Sequence, residues 1–184
     1  METNSNDMMG LTPSGRARGM INSQPGSPID LTGLGSYDRS RVMAYRSDCP
    51  LDLAGLVPSD RARVMVLRPD CPIDMTGLTS SDRAWVMSRR LDCPIDLRLM
   101  APYHRALVMA RRPDCPIDLT GMTPSERARV MIERPDCPID LAGMGPYDRA
   151  LVMVKRPDCP IDLEGLDPSQ RAWVMDARSD HTAP

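Results

Sequence analysis

The sequence predicts an all-α, right-handed solenoid of seven 22-residue repeats, each a short 3₁₀ or α turn followed by a longer α-helix. Three observations lead there. Cys49, Cys71, Cys93, Cys115, Cys137 and Cys159 recur at a spacing of 22 residues, the words around them recur almost letter for letter, and each copy carries a helix-start signal at the same place. A fixed period of this length marks one supersecondary unit stacked on its neighbour.

With cysteine as unit position 1, the consensus is C-P-I-D-L-x-G-L-x-P-S-D-R-A-x-V-M-x-x-R-P-D, and units start at residues 27, 49, 71, 93, 115, 137 and 159. Ser27 holds the cysteine slot in the first. A half copy precedes it, with Leu11, Pro13, Arg16, Ala17 and Met20 matching the second half of the unit, and 21–26 is degenerate and one residue too long for the register. The expected organisation is an N-terminal cap with a degenerate half repeat at 1–26, a repeat array at 27–180 closed by Asp180, and a tail at 181–184.

Composition fits one elongated body rather than one central core. Phe is absent and aromatics make up 3% of 184 residues, so each unit supplies its own small apolar set. Most of the 19 prolines fall at unit positions 2, 10 and 21, where they punctuate an ordered pattern. No apolar run approaches the roughly 18 residues of a membrane span, and 1–26 lacks the regions of a signal peptide. The expected address is the cytoplasm, where thiols stay reduced. A net charge of -2, with 23 basic and 25 acidic residues interleaved, gives no general pull toward nucleic acid.

The second half of the unit predicts the longer helix. In Thr123-Pro124-Ser125-Glu126, threonine caps free N–H groups, proline is tolerated at the first helical position and the acid can bond back to the cap. Asp167-Pro168-Ser169-Gln170 and Thr79-Ser80-Ser81-Asp82 are variants. The helix is expected to run about nine residues and stop before Arg-Pro-Asp, since proline disfavours helix in the residue before it.

The first half reads the same way on a smaller scale. Ser27-Pro28-Ile29-Asp30 is cap, proline and acid, and the glycine at unit position 7 stops the segment after about four or five residues, as a 3₁₀ or α turn. A competing reading makes Cys-Pro-Ile-Asp-Leu a strand, from its period-2 alternation. A proline in the second place of every copy weighs against it, because it would delete one ladder donor per strand.

The residues Pro113-Asp114-Cys115-Pro116-Ile117-Asp118-Leu119-Thr120-Gly121-Met122, followed by a proline-started helix over 124–131, resemble the variant leucine-rich repeat. That family builds solenoids from alternating 3₁₀ and α helices, related in shape to HEAT and armadillo arrays. The resemblance covers about 27–180, with a unit a couple of residues shorter than the family's. It implies a fold and a binding role, and no catalytic residues.

Positions that hardly vary are expected to hold the stack: in the unit at 115, Ile117, Leu119 and Met122, then Ala128, Val130 and Met131. The column Met43, Met65, Met87, Met109, Met131, Met153 and Met175 reads as core filler rather than soft-metal ligands. The cysteines read as buried structural thiols. No CxxC pair is present, and with stacked helices about 8–10 Å apart a bridge that needs Cα atoms within about 7 Å would require unusual geometry. Arginine recurs at unit positions 13 and 20, and aspartate at 4 and 22. Arginine's planar fork suits bidentate pairing, so Arg127 and Arg134, with their equivalents, are expected to form inter-repeat ladders with Asp118 and Asp136. The alternative for these arginines is a stripe for phosphates.

Variation concentrates at unit positions 11, 15, and 18 or 19, on one side of the helix. The candidate partner-binding residues there are Tyr37, Arg41, Arg63, Trp85, Tyr103, Leu107, Arg129, Tyr147, Leu151 and Trp173. Tyrosine and tryptophan are enriched at binding hot spots, whereas drift on a solvated face is the plain alternative. The unit at 93 departs most, with Arg98-Leu99-Met100 for x-Gly-Leu and His104 for the acid. His104 and His181 are isolated, and no phosphate loop or nucleophile motif is present. The expected function is a non-enzymatic, monomeric scaffold without cofactor or metal, binding a protein or peptide along the variable face. Modular nucleic-acid recognition and a multi-copy peptide precursor are the alternatives.

Overall fold

The computed structural model describes residues 10–179. The expectations for 1–9 of the cap, for Asp180 and for the tail at 181–184 lie outside them. Among the described residues all regular structure is helical, and the chain divides into two compact units, Met1–Pro94 and Ile95–Pro184. The first holds α1 (Pro13–Asn22), α2 (Ser36–Tyr45), α3 (Pro58–Leu67) and α4 (Ser80–Arg89). The second holds α5 (Pro102–Arg111), α6 (Pro124–Glu133), α7 (Pro146–Lys155) and α8 (Pro168–Ser179). Within each unit every helix packs on the next in sequence, as a repeat array requires. No described helix is long and apolar enough to cross a membrane.

The helix starts follow the capping chemistry. Thr123 Oγ1 accepts the Glu126 N–H at 3.3 Å and the Glu126 carboxylate accepts the Thr123 N–H at 2.8 Å, a complete capping box. Thr12 and Thr79 accept an N–H in the same way, while Gly35, Val57, Ala101 and Gly145 make no side-chain cap.

The helix stops have a second cause beyond proline. Ser47, Leu91 and Ser179 stand where the other copies have proline; α8 runs on to Ser179, yet α2 and α4 still end at Tyr45 and Arg89. In both cases the next residue, Arg46 or Arg90, leaves helical geometry at φ -112 and -103, and its carbonyl accepts the N–H of Cys49 or Cys93 at 3.0 and 3.1 Å. The Arg46 and Arg90 side chains bond Asp48 and Asp92 two residues on, which braces the exit.

The first half of the unit corrects both readings made from sequence: it is neither a 3₁₀ or α turn nor a strand. It is an extended segment closed by a β-turn, in which Met122 N–H donates to the Leu119 carbonyl at 3.2 Å. Gly121 sits at the third turn position with φ +70, the left-handed value a type II turn needs. Asp118 does not act inside a helix. Its Oδ1 accepts the Thr120 N–H at 3.0 Å and pre-forms the turn as an Asx motif, and all seven copies repeat the bond. In the unit at 93, Leu99 replaces the glycine without a positive φ, and Met100 still donates to Leu97 at 3.1 Å. The departure changes the turn type and leaves the turn in place.

The core is thinner than expected. Met122, Ala128, Val130 and Met131 are buried, whereas Ile117 and Leu119 are only half-buried because the extended segment lies at the surface. Valine and methionine also face opposite ways. In α8, which has no later helix among the described residues, Val174 is 0% exposed while Met175 is 48% exposed. Valine therefore packs back onto the preceding helix, and alanine and methionine forward onto the following one. Each fully buried side chain of this size contributes roughly 1.5–3 kcal/mol.

Candidate functional site

The two repeating arginine columns, at unit positions 13 and 20, are structural. At unit position 20, Arg134 is 5% exposed. Its Nε and Nη2 grip Asp136 at 2.7 and 2.6 Å, and its Nη1 donates to the carbonyls of Met109, Arg112 and Cys115 at 3.0, 2.7 and 3.0 Å. Those carbonyls belong to the end of the preceding helix and its exit turn, where orphan acceptors and the negative end of the helix dipole need a cation. Arg46, Arg68, Arg90 and Arg156 repeat the grip. At this position the expected inter-repeat ladder runs from arginine to backbone, while the Asp136 pair lies within one repeat and orients the fork.

At unit position 13 the arginine reaches forward. Arg127 Nη1 meets Asp140 at 3.1 Å and its Nη2 donates to the Ala142 carbonyl at 2.5 Å, so it clasps the next repeat's turn; Asp118 receives Arg105 rather than Arg127. Arg149 holds Asp162 at 2.7 Å and the Glu164 carbonyl at 2.8 Å in the same manner. In most copies these two columns commit donors to backbone and carboxylate, which leaves less of them to offer a phosphate.

The cysteines lie buried at the helix exit. Each Sγ–H points to the carbonyl of the following proline at 3.5 or 3.6 Å. Burial pushes the Cys115 thiol above its ordinary range, against the lowering effect of Arg134, and Cys49, Cys71, Cys137 and Cys159 behave alike. This environment disfavours the nucleophilic thiolate. Methionine has an unforeseen role beside its packing: Met65, Met109 and Met153 accept the N–H of Asp74, Asp118 and Asp162 on sulfur at 3.2 to 3.4 Å. No group of three His, Cys, Asp or Glu side chains is placed to hold a metal among the described residues.

The variable residues stand on the exposed side of the helices. Tyr37, Tyr103 and Tyr147 are 56%, 54% and 61% exposed; Arg41, Arg63, Trp85, Leu107, Arg129 and Leu151 are half-buried, and Trp173 is 37% exposed. They meet in a fixed register, position 11 of one repeat against position 15 of the next. Arg63 lies 4.9 Å over the Tyr37 ring and Arg129 lies 5.7 Å over Tyr103. Tyr147 and Trp173 stack at 6.2 Å with 26° between planes. Within its own helix Arg41 also lies over Tyr37, at 5.6 Å.

Sequence reading missed this pairing, although a signal was present. Every tyrosine at position 11 is followed 26 residues later by arginine or tryptophan. It also missed the hydroxyl at the helix start that reaches the next helix: Ser14 donates to Asp38 at 2.8 Å, Ser36 to Asp60 at 2.6 Å and Ser125 to Asp148 at 2.8 Å. Comparison with family models, with curated proteins and with solved structures finds no match to this chain.

Proposed function

We propose that the protein is a non-enzymatic scaffold that binds a protein or peptide along the variable helix face, as the resemblance to the variant leucine-rich repeat implies. It works as a cytoplasmic monomer without cofactor, and the chemistry of the face lies in recognition. One observation carries this reading. Tyr37, Tyr103 and Tyr147 are more than half exposed, yet each is held by a guanidinium or indole from the adjoining helix. An aromatic already fixed in place loses little conformational entropy on binding, which is the property of a recognition anchor.

The test is affinity capture by the native chain and by a Trp85→Ala, Trp173→Ala variant, with thermal unfolding of both as a folding control. Loss of a defined partner from the variant, at unchanged helicity, supports the reading. Equal recovery of every partner by both chains sinks it.

A further inference from the structure

Resting on that reading, we infer that the face formed by α1 to α4 binds an extended acidic peptide, with a carboxylate at every third residue and an apolar residue three places further on. Arg18, Arg41 and Arg63 stand at unit position 15 of three consecutive helices, and Trp85 occupies the same position of α4. Arg18 and Arg41 differ from the arginines at positions 13 and 20, whose donors serve backbone and carboxylate, and Arg63 commits its Nη1 to Asp60 and Ser40. Arg18 is exposed on a helix with no acid in its first turn. Arg41 leans on Tyr37, while the carboxylate one turn before it, Asp38, is 7% exposed and takes the Ser14 hydroxyl. Arg63 bonds Asp60 at 2.5 Å and the Ser40 hydroxyl at 3.1 Å, and its guanidinium also faces the Tyr37 ring. The ring of Tyr37 thus carries two guanidiniums, at 5.6 and 4.9 Å, on an exposed face whose nearest acids are 7% and 4% exposed.

The spacing selects the ligand. Packed helices lie about 8–10 Å apart, and an extended chain advances about 3.3 Å per residue, so three residues of peptide span one helix step. Arginine at three steps and tryptophan at the fourth therefore match acid, acid, acid and apolar residue in that register. Charge agrees with this unit: residues 10–94 hold eleven arginines against nine aspartates, whereas 95–179 hold twelve basic against thirteen acidic residues. A nucleic acid fits less well. The basic stripe is one residue wide, and an excess of two charges supplies little counterion release.

Fluorescence anisotropy on the whole chain tests the inference. The probes are labelled peptides with glutamate at the first, fourth and seventh places and leucine at the tenth, in both chain directions, on serine and glycine spacers. The expected result is binding at low salt that weakens at about 1 M salt, where the Debye length is ~3 Å. The Arg18→Glu, Arg41→Glu variant is expected to weaken it at least about tenfold, with unchanged thermal unfolding, and to gain affinity for the lysine version of the peptide. No binding in either direction, or binding indifferent to the variant, overturns the inference. A single-stranded oligonucleotide that binds more tightly than the peptide through the same arginines overturns it in favour of nucleic acid. Failure here with partner loss in the tryptophan variant removes only the acidic ligand; equal recovery in that capture experiment removes the scaffold reading itself.

Discussion

Arg134 Nη1 donates to the carbonyl oxygen of Cys115, nineteen residues earlier, at 3.0 Å. Through this bond and those to Met109 and Arg112, the repeat closes the helix before it rather than its own. Replacing Arg134 with methionine keeps much of the packing and strands three acceptors. The expected loss is about 2–4 kcal/mol, and lysine, a point donor without the fork, restores only part of it. Urea unfolding followed by circular dichroism measures this; an unchanged midpoint refutes the clasp.

Gly143→Ala is expected to cost about 1–2 kcal/mol, from the left-handed backbone alone. A Cβ there would lie 3.8 Å from Arg127 Nη2, an ordinary contact, so crowding adds nothing. A neutral substitution would show that the turn relaxes to the form found at Leu99.

The caps differ in strength, and exchange of cap residues reads this out. Thr123→Ala removes a complete capping box and is expected to lose about 1 kcal/mol. Val57, 49% exposed at the same place without a cap bond, is expected to gain about 0.5–1 kcal/mol on Val57→Thr. Thermal unfolding in opposite directions is the predicted outcome, and a shared direction contradicts it.

Stability is expected to fall at both ends of the pH scale. The guanidinium of Arg134 holds the Asp136 carboxyl below the usual range, as Arg68, Arg112 and Arg156 do for Asp70, Asp114 and Asp158. A depressed carboxyl stabilises the fold above its unfolded value, about 3.9, and that stability drains away as pH falls through the folded value. The buried thiols act in the opposite sense. Their raised values give stability that is full below the unfolded thiol value, about 8.5, and is lost as pH rises toward the folded one. Unfolding midpoints are expected to be flat between about pH 5 and 8; a maximum outside that window contradicts the assignment.

The same burial makes the thiols slow reagents. A disulfide-exchange dye at neutral pH is expected to label the native chain far more slowly than the urea-unfolded chain, in which all six cysteines react. Rapid native labelling of Cys71 or Cys137 would show that the repeats open locally.

Repeat length, helix position and the burial of cysteine, alanine, valine and methionine were legible because they rest on local chemistry. Thr123 caps and Pro124 starts a helix wherever they occur, and recurrence at 22 residues names the positions every unit needs. The first half of the unit misled for an equally physical reason. Cap, proline and acid are compatible with a helix start and with an extended approach to an Asx turn, and the choice depends on whether Asp118 Oδ1 finds an N–H two residues ahead.

Tertiary structure alone decided which way each charge points. Arg127 and Arg134 are both arginines on a repeating pattern, yet one reaches forward to Asp140 and the other back to the carbonyls of Met109 and Cys115. Their partners lie in neighbouring repeats and many are backbone atoms, which carry no sequence signature. The same holds for the variable face: composition placed tyrosine, tryptophan and arginine on one side of the helices, and only stacking brought Tyr37 to Arg63 and Tyr147 to Trp173. A helix period of 3.6 residues settles which side a residue takes, and the packing of one helix on the next settles what it meets there.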